Sequence, residues 1–198
     1  MCIFSSVRGG NDPEFELAAI NVANAMAVRQ INLLHGGGTF GYMGIIARKV
    51  SESGGQVFGV IPSALRHISA SGKTVGETQF VDTMDERKQI LYPMADAFLI
   101  MPGGCGTLSE MFEVLCEHQL GVHNVPIGLL NVNGVYDKLL EFLEYGIQVG
   151  LIKGVYKHIL CVSSDINELL DKLERYVPPP GFVSRERWLR RDLHDGKK

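Results

Sequence analysis

A chain of 198 residues, 45% hydrophobic and 21% charged, has the length for one domain with a full core and a composition that excludes wholesale disorder. Its 22 acidic and 19 basic residues leave a net charge of −3, which argues against binding along a nucleic-acid polymer but not against a small anionic ligand, for which a few local donors suffice. Cys2, Cys105, Cys116 and Cys161 form no C-x-x-C pair and the six histidines show no ligand spacing, which argues against a zinc site or a disulfide framework. There is no cationic leader followed by an apolar run, and no apolar stretch approaches the ~20 residues of a bilayer span. The cytoplasm is the expected location, with no membrane partner.

Strand and helix patterns alternate along the chain. A short apolar strand is predicted at 2–4, a turn at 9–13, and a helix over 14–29, where Phe15, Ala19, Val22 and Met26 recur at three- and four-residue spacings. A strand at 31–34 runs into three glycines and a helix over 42–52. A strand at 57–61 ends at Pro62, and 63–73 reads as a polar loop. A short strand at 78–81 precedes a helix over 84–94, a buried strand at 97–101 and a helix over 107–118. Strands at 127–131 and 159–162 and helices over 136–145 and 165–176 complete the series, the last helix opened by the capping pattern Asp165-x-x-Glu168. Nearly all-apolar strands separated by helices predict an α/β fold, a doubly wound parallel sheet with helices on both faces, in a single domain. Ligands of such sheets bind at the carboxyl ends of the strands, near the topological switch point. The domain is read as 1–177. A Pro-rich, charged C-terminal tail follows over 178–198, with Trp188 and Leu189 expected to dock on a neighbouring surface.

Two glycine loops carry the chemistry. The first, His35-Gly36-Gly37-Gly38-Thr39-Phe40-Gly41, places G-x-G-x-x-G between a strand and a helix, where backbone N–H groups can approach a phosphate. A dinucleotide fingerprint belongs in the first strand–helix turn with an acidic residue about 20 positions on; here the loop follows the second strand and that region holds Val60-Ile61-Pro62. The run His35-Gly36-Gly37-Gly38 imitates an esterase oxyanion loop, but the chain has no G-x-S-x-G. Beside the phosphate reading stands a tight turn without a ligand, which three consecutive glycines disfavour through backbone entropy.

The second loop, Pro102-Gly103-Gly104-Cys105-Gly106-Thr107, follows the most apolar strand and opens a helix, so its amides, the Thr107 hydroxyl and the helix dipole can cradle a phosphate. Thr107-x-x-Glu110 is also a capping box. Glu110 therefore either satisfies backbone donors or stands beside a bound sugar, positioning water or stabilising an oxocarbenium-like charge. Arg87 shares a helix face with Met84. It is either a fork onto phosphate or ribose, or, with Lys88, a solvated surface pair, and pattern alone leaves both open.

Together these segments resemble the LOG family of cytokinin riboside 5′-monophosphate phosphoribohydrolases, many of which were once labelled lysine decarboxylases. The matching motifs are Gly36-Gly37-Gly38-Thr39-Phe40-Gly41-Tyr42-Met43-Gly44, the M-x-x-R-K of Met84, Arg87 and Lys88, and the P-G-G-x-G-T-x-x-E of Pro102 through Glu110. Gln119-Leu120-Gly121 and Pro126-Ile127-Gly128-Leu129-Leu130-Asn131 extend the likeness, which runs from residue 2 to about 177.

The resemblance implies a Rossmann-like fold, a homodimer, no cofactor or metal, and hydrolysis of the N-glycosidic bond of a nucleoside 5′-monophosphate to free base and ribose 5-phosphate. It assigns catalysis to Arg87 and Glu110. It assigns substrate binding to Gly36, Gly37, Gly38, Thr39, Met84, Lys88, Pro102, Gly103, Gly104, Gly106, Thr107 and Glu113, with the phosphate on the second loop and Glu113 at the ribose.

The chain departs from the family where Ser5-Ser6-Val7-Arg8 replaces a Cys-Gly-Ser-Ser near base and sugar, and where His35 stands for a common tyrosine, a position read as structural. The competing readings are a non-catalytic nucleotide or molybdenum-cofactor carrier on the same fold, which need not keep both Arg87 and Glu110, and a pyridoxal decarboxylase, for which no Schiff-base lysine site is evident.

Overall fold

The structure is a computed structural model and describes residues 1–69 and 74–179. Within them, β1 (Cys2–Phe4), β2 (Leu33–His35), β3 (Val57–Pro62), β4 (Glu77–Val81), β5 (Phe98–Ile100), β6 (Ile127–Leu130) and β7 (Leu160–Ser163) form one parallel sheet in the order β4-β3-β2-β1-β5-β6-β7. Side chains alternate between its two faces. Ile3, Leu33 and Leu99 enter one core, whereas Cys2, Phe4, Leu34, Phe98 and Ile100 enter the other. Covering both faces is what makes these strands read as continuous apolar runs.

The helices are α1 (Pro13–Val28), α2 (Gly41–Glu52), α3 (Arg66–Ser69), α4 (Met84–Leu91), α5 (Cys105–Leu120), α6 (Asp137–Gln148), α7 (Tyr156–Ile159) and α8 (Ile166–Glu174). The first core is closed by α1, α2 and α8 through Ala19, Val22, Met26, Ile46, Leu169 and Leu173. The second is closed by α4 and α5 through Leu91, Met111, Val114 and Leu115. Asp12 starts α1 by accepting a hydrogen bond from the Glu14 N–H at 2.9 Å, with Pro13 in the first turn, where its missing N–H is no loss. Arg29, at the far end of α1, ties it to α8 through Asp171 at 2.7 Å and Glu174 at 3.0 Å.

The chain runs outward from β1 through β2 and β3 to β4, then crosses to β5 on the other side of β1 and runs out to β7. The strand order reverses at β1, so the crevice of this sheet opens at the carboxyl ends of β1 and β5.

Three expectations change. The helix expected over 84–94 stops at Leu91 and tightens into a 3₁₀ turn over Tyr92–Met94, because Pro93 has no N–H with which to continue the helical ladder. The polar stretch after Pro62 is not all loop: a 3₁₀ turn over Ser63–Leu65 leads into α3. The helix expected from residue 107 begins at Cys105, with Gly104 as its N-cap. At the chain's end, the Asp165 cap is confirmed by its bond from the Glu168 N–H at 2.8 Å. The proposed tail beyond residue 179, including Trp188 and Leu189, lies outside the described residues.

Candidate active site

The loops after β1, β2 and β5 converge on a cleft of about 630 Å³, walled by Ser5–Arg8, Gly36, Gly38, Met43, Leu65, Met84, Arg87, Lys88, Gly104, Gly106, Thr107, Ser109, Glu110 and Glu113. Its floor is the start of α5. No side chain caps that helix and no acidic residue lies in its first turn, so its leading N–H groups and the positive end of its dipole are available to an anion. The start of α2, behind Gly36 and Gly38, is likewise uncapped by any side chain.

Close backbone approach explains two of the glycines. A Cβ on Gly36 would lie 2.8 Å from the Arg87 Cζ, so glycine is what lets the guanidinium rest on the first loop. Gly41, at φ +56°, would carry a Cβ 2.6 Å from the Val7 carbonyl carbon, so it admits the segment Val7–Arg8 over the start of α2. That segment is held to the second loop by the Ser6 N–H, 3.4 Å from the Pro102 carbonyl oxygen. Of the residues expected to bind substrate, Gly37, Thr39, Pro102 and Gly103 do not reach the cleft wall. Thr39 is buried, and its carbonyl oxygen accepts from Arg48 Nη1 at 3.1 Å.

Arg87 and Glu110 form an ion pair across the cleft, with only 13% and 15% of their side chains exposed. This overturns the solvated-surface reading of Arg87. It also overturns the capping-box reading of Glu110. Because α5 starts at Cys105, Thr107 is its third residue, and Glu110 stands a turn inside the helix facing Arg87 rather than the backbone. Burial pushes the Glu110 carboxyl above its ordinary value, Arg87 pulls it back, and the neighbouring Glu113 raises it further.

Glu113 is held by Lys88 Nζ at 2.7 Å and by the Tyr92 hydroxyl at 3.0 Å, while Lys88 also reaches Asp85 at 3.0 Å. The start of α4 sets this register. Thr83 Oγ1 accepts from the Glu86 N–H at 3.1 Å, and Glu86 reaches back to the Asp82 N–H at 2.9 Å, so Met84, Arg87 and Lys88 project together toward the cleft.

His35 ends β2 beside the cleft. It is 1% exposed and neither ring nitrogen has a hydrogen-bond partner. Burial, with help from Arg87, depresses it to about 4, so at neutral pH it is an uncharged core residue and not a proton carrier. The Cys2 thiol is likewise pushed up to about 12 by burial and by Glu110.

A larger cavity of about 780 Å³ lies beyond the Lys88–Glu113 pair, but neither glycine loop, Arg87 nor Glu110 lines it; these gather at the smaller cleft. Sequence reasoning missed Leu65, which stands in the segment read as loop, and Tyr92, which lies outside every motif. No group of His, Cys, Asp and Glu among the described residues is arranged to hold a metal ion.

The fold and the cleft define an α/β protein with glycine-rich loops and a buried Arg–Glu pair at the switch point of a parallel sheet. A family described as possible lysine decarboxylase matches residues 43–173. The chain belongs to this family, the LOG family. It is 42% identical over 178 residues to the probable cytokinin riboside 5′-monophosphate phosphoribohydrolase LOG6 of Arabidopsis thaliana, covering 90% of this chain and 89% of that protein. It is 41% identical over 189 residues to the cytokinin riboside 5′-monophosphate phosphoribohydrolase LOG1 of the same plant, covering 95% and 89%. Among solved structures, the molybdenum cofactor binding protein of Rippkaea orientalis superposes with a TM-score of 0.62 at 19% identity, covering 87% of this chain and 94% of that one. The molybdenum cofactor carrier protein of Chlamydomonas reinhardtii superposes with a TM-score of 0.61 at 17% identity, covering 88% and 96%. At these identities it is the fold that is shared.

Proposed function

We propose that this chain hydrolyses the N-glycosidic bond of a nucleoside 5′-monophosphate, a cytokinin riboside 5′-monophosphate or an AMP-like nucleotide, releasing the free base and ribose 5-phosphate. The observation that carries the reading is the buried Arg87–Glu110 pair set against the uncapped start of α5. The names of the relatives support it.

In this reading the 5′-phosphate sits on the N–H groups of the second loop and the Thr107 hydroxyl, with the Gly36–Gly38 turn behind it. Glu113 holds the ribose and Arg87 orients the phosphoribosyl group. Glu110 stabilises the oxocarbenium-like charge at C1′ and takes a proton from the attacking water. The C1′–N bond breaks, hydroxide adds to C1′, the departing base takes up a proton from solvent and Glu110 returns its own to solvent, so that one water is consumed. Anchoring the phosphate turns binding energy remote from C1′ into rate at C1′, so a nucleoside without phosphate reacts poorly. The working form is a homodimer without cofactor, located in the cytoplasm; among the described residues no helix is long and apolar enough to cross a membrane.

The test is base release from nucleoside 5′-monophosphates beside their nucleosides, with Glu110→Gln as control. Loss of an acid–base or charge-stabilising group of this kind lowers kcat by about 10²–10⁴. Binding of a monophosphate without release by the wild type would favour the carrier reading instead.

A further inference from the structure

Tyr92 stands outside the cleft. It begins the 3₁₀ turn that ends α4, and its ring packs edge-on against Phe4 and Phe98, with centroids 5.9 and 5.4 Å away. It lines the larger cavity and not the cleft, whereas Glu113 lines both. Its hydroxyl nevertheless donates to Glu113 Oε2 at 3.0 Å, while Lys88 Nζ takes Oε1 at 2.7 Å. Both oxygens of Glu113 are therefore held from the α4 side, and the carboxylate keeps one orientation.

That orientation has a consequence for Arg87. Glu113 follows Glu110 at i+3 on α5, so the two carboxylates are neighbours on one helix face. A Glu113 carboxylate free to rotate there competes with Glu110 for the Arg87 guanidinium. Lys88 alone does not prevent this, because it engages a single oxygen and divides itself with Asp85 at 3.0 Å. The Tyr92 hydroxyl removes the remaining freedom.

We propose that Tyr92 is a positioning residue of this site: from behind the cleft its hydroxyl fixes Glu113 toward the ribose and leaves Arg87 to Glu110. The inference rests on the hydrolase reading for its kinetic form. It makes Tyr92 part of the substrate-binding apparatus without contact to substrate, and it separates the work of the hydroxyl from that of the ring, which belongs to the core.

The experiment is a double-mutant cycle of wild type, Tyr92→Phe, Glu113→Ala and the double variant, each followed by thermal unfolding and by the kinetics of base release from AMP. Tyr92→Phe keeps the ring and loses one hydrogen bond, so the melting temperature should fall by no more than about a few degrees. KM should rise about tenfold, the size of a lost hydrogen bond to a charged group, and kcat should fall with it, because the freed Glu113 draws Arg87 from Glu110. In the Glu113→Ala background the same substitution should change nothing further.

Wild-type kinetics in Tyr92→Phe would overturn the proposal. So would losses that multiply in the double variant, or a loss of activity that only tracks a loss of stability. The same four proteins titrated with AMP by calorimetry give the cycle in dissociation constants. A wild type that binds nucleoside 5′-monophosphates, N6-isopentenyl-AMP among them, but releases base from none would sink the hydrolase reading alone, and the coupling of Tyr92 to Glu113 would then be judged on AMP binding.

Discussion

His35 and Gly36, adjacent in the chain and both near Arg87, act in different ways. The imidazole is buried without a hydrogen-bond partner, and its proton affinity in the folded protein falls from 6.5 to about 4. Between those values the unfolded chain takes up a proton that the folded chain refuses, so stability is full above 6.5 and is lost as pH falls through this window. The shift corresponds to about 3 kcal/mol between pH 7 and pH 4. Urea unfolding across that range should show the loss, and His35→Gln should flatten it. An equal slope in the variant would place the pH dependence elsewhere. Gly36 acts through space: in Gly36→Ala the new Cβ meets the Arg87 guanidinium and displaces it from Glu110. We expect at least about a tenfold loss of kcat/KM with stability changed by less than about 1 kcal/mol, read by steady-state kinetics and urea titration.

At the scale of elements, helix starts place the reacting groups, and these are where sequence reading succeeded least evenly. The caps at Asp12 and Asp165 follow local rules, with a short polar side chain ahead of an apolar periodic run, and Asp165 was legible from the pattern. The capping box of Thr107 and Glu110 does not form, because Cys105 and Gly106 are already helical behind the extended N-cap Gly104 and α5 begins two residues sooner. Pattern alone could not separate a cap from a buried, ion-paired carboxylate at Glu110; the partner that pairs with it, Arg87, comes from a helix distant in sequence. Leu65 and Tyr92 went unread for the same reason, since only tertiary packing brings them to the site. The cap that escaped notice, Thr83, matters most for α4. Thr83→Ala removes the acceptor of the Glu86 N–H and should lower stability by about 1 kcal/mol by chemical denaturation, and it should lower kcat/KM as well, since Arg87 and Lys88 lie on the turn it anchors. Intact stability would mean that packing of Leu91, not the cap, holds α4.

At the scale of the molecule, the alternation of apolar strands with helices was enough to give a doubly wound parallel sheet, because both faces must be covered by helices that are themselves visible in the pattern. The strand order was not legible, as nothing local records that β5 crosses back to lie beside β1. That crossing sets the loops after β1, β2 and β5 around one cleft and brings α4 against α5, so the two motifs that look separate along the chain become a single ion-paired site. The larger cavity next to it shares Lys88 and Glu113, so the wall between the two is itself part of the proposed substrate-binding apparatus.

The most direct test of the central claim is base release, followed by chromatography, from AMP, N6-isopentenyl-AMP, GMP, CMP and UMP, each beside its unphosphorylated nucleoside, with wild type and Glu110→Gln. The account predicts that at least one monophosphate yields free base and ribose 5-phosphate, that its nucleoside yields little, and that the variant yields neither. Equal release from a nucleoside and its monophosphate would contradict phosphate anchoring at the start of α5, and release undiminished in Glu110→Gln would contradict the role given to the buried pair.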